Sequence, residues 1–163
     1  MNEIITFRKA YFGDIEKILA LYQDVRGGKF CVWDAGYPNR ERAEADIAAG
    51  GLYVLSRGGE ILACASVEPE TEDDDLPEWR ICDGTHCEIA RVAVASAHQG
   101  KGLAKKIMAF LADALRAEGV KSIHLLAGKK NTPAVRTYRA LGFDFIGECH
   151  RYGADYHVCE KIL

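Results

Sequence analysis

Residues 88–108, EIARVAVASAHQGKGLAKKIM, join a β-prone run to a helix-prone run through a short glycine loop. Residues 86–95 read as a strand. Beyond the loop, Leu103, Ile107, Leu111 and Leu115 recur every fourth residue up to Gly119, the spacing of a long amphipathic helix. Consecutive backbone N–H groups at such a helix start converge on one place, and the helix dipole adds positive potential there. Gly100 and Gly102 let a ligand come close to the backbone, Ala104 is small, and Lys101, Lys105 and Lys106 add cationic charge. The loop therefore suits a phosphate or pyrophosphate. A Walker A loop is excluded, because Ala95 stands where its first Gly belongs and Gly102 where Ser or Thr must follow the Lys. The dinucleotide pattern G-x-G-x-x-G fails at Lys105. A tight turn with no ligand is the plainer alternative at this point.

The flanking segments supply the architecture. Residues 3–8 are β-prone, and from Asp14, a candidate N-cap, Ile15, Ile18, Leu19, Tyr22 and Val25 follow helical spacing up to Gly27-Gly28. A short helix is expected over 39–49. LYVLSR and EILACASVE flank Gly58-Gly59, a dipeptide that makes a tight hairpin. Residues 68–78 hold seven acids and read as a solvated loop, the alternative being a field that attracts a cationic acceptor. KSIHLLAG is a strand, and Thr132-Pro133 opens a helix that closes at Leu141-Gly142-Phe143. FDFIGECHRY and DYHVCEKIL end the chain as two strands. The order is β-α-α-β-β-β-α-β-α-β-β. A hairpin-rich first half with one β-α-β crossover implies a mixed sheet, not a doubly wound dinucleotide fold. No linker or repeat interrupts it, so residues 1–163 are expected to form a single domain.

Composition excludes other classes. The 163 residues carry a formal net charge of −3, without the basic footprint of a nucleic-acid binder. No apolar run approaches the ~20 residues of a membrane span, and the amino terminus lacks the pattern of a signal peptide. A cytoplasmic protein with no membrane or nucleic-acid partner is expected, and a homodimer is left open. The six cysteines are expected to be reduced and mostly core-filling. Cys82, His86 and Cys87, and Cys149, His150, His157 and Cys159, show neither Cys-x-x-Cys nor zinc-ribbon spacing, so no metal is expected.

Three blocks in register resemble the GNAT superfamily of acyl-CoA-dependent N-acyltransferases. The pattern Gln/Arg-x-x-Gly-x-Gly/Ala is matched by Gln99, Gly102 and Ala104. EIARVAV (Glu88–Val94) is similar to the family's fourth strand, and Asn131, Ala134, Tyr138 and Leu141-Gly142-Phe143 match its later Asn-x-x-Ala-x-x-x-Tyr and Leu-Gly-Phe. The strong resemblance covers residues 86–147, with a weaker one over 37–55. It implies an α/β (α+β) fold with a mixed, mostly antiparallel sheet and helices on both faces. It also implies that the loop's anion is the pyrophosphate of coenzyme A, and that the chain is an N-acetyltransferase moving acetyl from acetyl-CoA to a primary amine. A non-catalytic acyl-CoA-binding domain and a user of longer acyl groups stay open.

That reaction sets three requirements. A lysine-like amine of pKa ~10.4 must lose its proton to attack, the thioester oxygen gains charge, and the departing thiolate needs a proton. The resemblance assigns Glu88 as general base, against the plainer reading of a rim glutamate. It assigns the Val92 N–H, on a bulged strand, to the thioester carbonyl, and Val92, Ala93 and Val94 to pairing with the pantetheine arm. Gln99, Gly100, Lys101, Gly102, Leu103 and Ala104 would bind the pyrophosphate. Asn131 and Ala134 would also contact the cofactor, and Tyr138 would protonate the thiolate. For Tyr138 the plainer reading is an aromatic packed beneath its helix, and for Asn131 a helix-start residue. Phe30, Trp33 and Tyr37 are either acceptor-pocket or core aromatics. Arg136 and Arg139 read as a surface coat.

Overall fold

The computed structural model describes residues 3–163 and shows how those segments are joined. The chain runs β1 (Thr6–Lys9), α1 (Ile15–Val25), α2 (Arg40–Ala48), β2 (Leu52–Arg57), β3 (Glu60–Glu68), β4 (His86–Val94), α3 (Leu103–Ala117), β5 (Ser122–Gly128), α4 (Thr132–Ala140), β6 (Asp144–Arg151) and β7 (Ala154–Ile162). This is the order the sequence predicts. The seven strands lie as β1-β2-β3-β4-β5-β7-β6. Every neighbouring pair is antiparallel except β4–β5, the pair that the α3 crossover joins.

Strand alternation divides the core in two. Tyr53, Leu55, Ala63, Ala65, Ile123 and Leu125 face α3 and α4, joined by Leu103, Ile107, Leu111 and Leu115 from α3. Leu52, Val54, Cys64 and Ala93 face α1 and α2, where Ile18, Tyr22, Ala43 and Ile47 meet them. Gly58 and Gly59 turn the β2–β3 hairpin at φ of 56° and 81°, as a two-residue mirror-image turn requires. Asn39 caps α2, its Oδ1 accepting the Arg42 N–H at 2.8 Å. Asp14 precedes α1, but its carboxylate accepts from Arg8 (2.7 Å) and from the Tyr11 N–H (3.0 Å) instead of capping the helix.

Two irregularities open the sheet. β4 and β5 pair only at His86–Ser122, Cys87–Ile123 and Glu88–His124, and then part. Two residues further, the β3–β4 register shifts: Ser66 faces Ala90 while Cys64 faces Ala93. Arg91 and Val92 therefore bulge opposite Ala65, with Arg91 at φ +52°.

The acidic segment 68–78 is not the solvated loop that its charge suggests. It carries a 3₁₀ turn at Glu72–Asp75, and Asp73 is buried. The reason lies in its apolar and aromatic anchor: Trp79 stacks on His124 at 3.8 Å and donates its indole N–H to the Asp73 carbonyl at 2.8 Å. Glu160, fully buried on β7, accepts the Arg80 and Ile81 N–H groups at 2.7 and 3.0 Å. Residues 69–85 thus cover the sheet face that α1 and α2 leave bare.

Candidate active site

Glu88 stands at the vertex where β4 and β5 part. Only 5% exposed, it has an Oε1 with no hydrogen-bond partner among the described residues. Burial, and then the neighbouring Asp73 carboxyl, push the Glu88 carboxyl up to about 9. Asp73 arrives from the covering segment and is held there: its Oδ1 accepts Arg151 Nη1 at 3.0 Å and the Tyr152 hydroxyl at 2.8 Å. The glutamate on the fourth strand is therefore not a solvated rim residue.

The bulge beyond Glu88 is fixed by its own side chain. Arg91 sends a buried guanidinium to Asp46 of α2, with Nε–Oδ2 at 2.9 Å and Nη2–Oδ1 at 3.1 Å. It also pairs with Glu68 at 3.3 Å and donates to the Tyr37 hydroxyl at 2.9 Å. A non-glycine residue in the left-handed region costs about 1–2 kcal/mol, and this bidentate pair offsets it. Sequence reading missed Arg91; a lone arginine inside an apolar strand was the available signal.

At the mouth of the split, the glycine loop has the conformation an anion cradle needs. Gly100 and Gly102 sit at φ +78° and +77°, and a Cβ at either would meet nothing within 4 Å. Gly102 is the N-cap of α3 and supplies no side chain to the first amides of that helix. Lys101, Lys105 and Lys106 are exposed beside it, and Ala104 is half-buried. The Leu103 side chain belongs to the core, so only its backbone can face a ligand. Gln99 donates from Nε2 to the Val94 carbonyl at 3.1 Å, which fastens the loop to the end of β4. Ala93 points into the α1 side, while Val92 and Val94 pack towards α3.

On the other wall, Asn131 caps α4 by accepting the Ala134 N–H at 3.3 Å, leaving its Nδ2 outside that cap. Tyr138 is 8% exposed, with its ring 5.7 Å from Phe143. Burial pushes its phenol above the ordinary range. The three candidate acceptor aromatics separate. Trp33 packs edge-on against Tyr22 at 5.6 Å, on the core side, and Phe30 lies under Lys29. Tyr37 reaches the site through Arg91. Their loop crosses the end of β5, where Gly128 makes room for Val32: a Cβ there would stand 2.9 Å from Val32 Cγ1. Arg139 lies over Phe145 at 4.0 Å, as a surface coat does.

Asp74, His86 and His124 bring ligand-type atoms within 4.8 Å of one another, but their geometry does not suit a metal. The His86 and His124 rings stack at 4.7 Å and 17°, so their in-plane lone pairs run side by side. His86 Nδ1 accepts the Gly84 N–H and its Nε2 faces Asp74 at 3.1 Å; His124 Nε2 faces the Ile81 carbonyl at 2.7 Å. With those partners, both Nε2 atoms carry protons. All six cysteines are free, with Cys64, Cys87 and Cys159 buried. No helix among the described residues is long and apolar enough to cross a membrane.

Comparison with known proteins agrees with this geometry. The profile of the Acetyltransferase (GNAT) family matches residues 18–143. An L-methionine sulfoximine/L-methionine sulfone acetyltransferase of Pseudomonas aeruginosa is 26% identical over 155 residues, covering 91% of this chain and 85% of that one. A streptothricin acetyltransferase of Streptomyces lavendulae is 37% identical over 115 residues, covering 70% and 55%. The solved structure of a putative acetyltransferase from Salmonella typhimurium with its cofactor acetyl-CoA superposes with a TM-score of 0.77 at 24% identity, covering 98% of this chain and 94% of that one.

Proposed function

The chain belongs to the acetyltransferase (GNAT) family, and from that premise we propose the division of labour in its site. It is an N-acetyltransferase that uses acetyl-CoA as co-substrate and an amine as acceptor. The observation that carries the residue assignment is the β4–β5 split, with Glu88 at its vertex, the Arg91–Val92 bulge on one edge and the open Gly100/Gly102 turn at its mouth.

The site's own features fit acetyl-CoA. The uncapped amides of Leu103 and Ala104, with Gln99, Gly100, Lys101 and Gly102, would hold the pyrophosphate. Beyond Glu88, β4 has no pairing with β5, and the Val92–Val94 edge, whose Val94 carbonyl is held by Gln99, would pair with an extended amide-bearing arm. When bound, acetyl-CoA supplies an activated acetyl thioester. The Val92 N–H, aimed by the bulge, would stabilise negative charge on the carbonyl oxygen. Glu88 would accept the proton of the acceptor ammonium, directly or through a water; burial makes it a strong base once ionised. Tyr138 holds its proton across the working pH range and would supply it to the leaving thiolate. Its raised pKa makes that transfer more uphill than for a free phenol. Asn131 and Ala134 at the start of α4 would contact the cofactor arm. Of Phe30, Trp33 and Tyr37, Tyr37 would border the acceptor, through its hydrogen bond to Arg91, while Trp33 packs into the core.

The test is thiol release from acetyl-CoA over a panel of amines. Amine-dependent release, one thiol per acetylated amine, is expected. Tight acetyl-CoA binding with no amine-dependent release over the panel would favour a non-catalytic acyl-CoA-binding domain instead.

A further inference from the structure

The ionic pairing around Glu88 says which amines fit. Two carboxyls, Glu88 and Asp73, are neighbours, and each is only 5% exposed. Glu88 Oε1 has no donor among the described residues. Asp73 spends Oδ1 on Arg151 and Tyr152, which leaves Oδ2 outside that pairing. With Arg151 paired to Asp73, the neighbouring buried Glu88 ionises readily only when a further cation arrives. Every guanidinium bordering the pair is already committed. Arg91 is taken by Asp46 and Glu68, Arg42 by the same two acids, and Arg151 by Asp73 and Asp75. In the loop that carries Tyr37, Arg26 donates to the Tyr37 and Pro38 carbonyls, and Lys29 sits over the Phe30 ring. Asp73 keeps one oxygen outside its Arg151 pairing and Glu88 keeps one without a donor, so among the described residues the pair offers acceptor oxygens to an ammonium and no uncommitted guanidinium to an anion.

We infer that the acceptor is a cationic amine with no carboxylate beside its reacting nitrogen, and that Asp73 binds its ammonium group next to Glu88. This rests on the assignment of Glu88 proposed above and adds the substrate class. The proton balance is simple. The ammonium enters between the carboxyls, ionised Glu88 takes one proton from nitrogen, the neutral amine forms the C–N bond as the C–S bond breaks, and the second nitrogen proton is lost as Tyr138 gives one to the thiolate. An α-carboxylate on the acceptor would sit against Asp73 and Glu88 with nothing to neutralise it, a repulsion that excludes wrong partners. The acceptor class would then differ from the amino-acid derivatives named for the Pseudomonas relative.

The experiment uses matched pairs that differ only in that carboxylate: tyramine with tyrosine, agmatine with arginine, 3-methylthiopropylamine with methionine. Binding to the full chain saturated with coenzyme A is measured by calorimetry, and thiol release from acetyl-CoA is measured separately. The amine of each pair should bind at least tenfold more tightly. Asp73→Asn should weaken amine binding at least tenfold and leave acetyl-CoA affinity unchanged. Equal or tighter binding of the amino acids, or no binding by any amine, overturns the inference, and the wild-type pairs decide it even where Asp73→Asn misfolds. Selective amine binding without thiol release would contradict the catalytic assignment and leave the acceptor class standing. Thiol release without selectivity would do the reverse.

Discussion

Glu88 shows how one position can strain the fold and serve the chemistry together. Its carboxyl titrates near 9 in the folded chain, against about 4.5 when unfolded. The folded state therefore holds a proton that the unfolded state has lost, and this contribution to stability falls as pH rises from about 4.5 to 9. Glu88→Gln removes the titration, so thermal melting should show wild type losing stability relative to the variant across that window. A constant difference between pH 5 and 9 would place Glu88 in water. Tyr138 poses the complementary question. Its burial beside Phe143 suits both a proton donor and a packing residue. Tyr138→Phe keeps the ring, so a donor role predicts a kcat loss of about 10²–10⁴-fold with acetyl-CoA affinity nearly unchanged. Turnover within threefold of wild type, with chemistry rate-limiting, would leave Tyr138 a packing residue. The family resemblance singled out Glu88, Tyr138 and Asn131 as candidates. Asp73 and Arg91 were not, because their roles depend on partners at distant positions: Arg151 and Tyr152 for one, Asp46 and Tyr37 for the other.

At the scale of elements, the strand-loop-helix unit 88–108 was legible to within a residue or two. Its periodicity changes from strand to helix at two glycines whose positive φ values few other residues adopt. The acidic stretch 68–78 departs from the solvated loop its charge suggests because its anchors, Trp79 and Ile81, lie just beyond it; tertiary stacking on His124 overrides local composition. The glycine turn yields a direct prediction. Gly102→Asp would put a Cβ in open space and an anion where the pyrophosphate belongs, at a φ that Asp tolerates better than most residues. The protein should fold, and its acetyl-CoA affinity measured by calorimetry should fall at least tenfold, about 1.4 kcal/mol. Equal affinity in a folded variant would remove the turn from the cofactor site.

Across the whole molecule, one sheet face is shared by two covers, α1–α2 over the first strands and residues 69–85 over the last. Glu88 lies under the border between them, where β4 leaves β5. The order of elements along the chain followed from hydrophobic periodicity and the helices on both faces from the family resemblance, whereas the split could be read from neither, since paired and parted strands carry the same alternation. The central claim is that a buried Glu88 at this vertex takes the acceptor's proton, and the pH dependence of kcat/KM tests it most directly. With an acceptor amine of pKa near 10.4, wild type should rise with pH along a limb that ends near 9, where Glu88 becomes ionised. Glu88→Gln should be slower by about 10²-fold or more, with its limb moved up to the acceptor's own pKa. Superimposable profiles for the two proteins would contradict the claim.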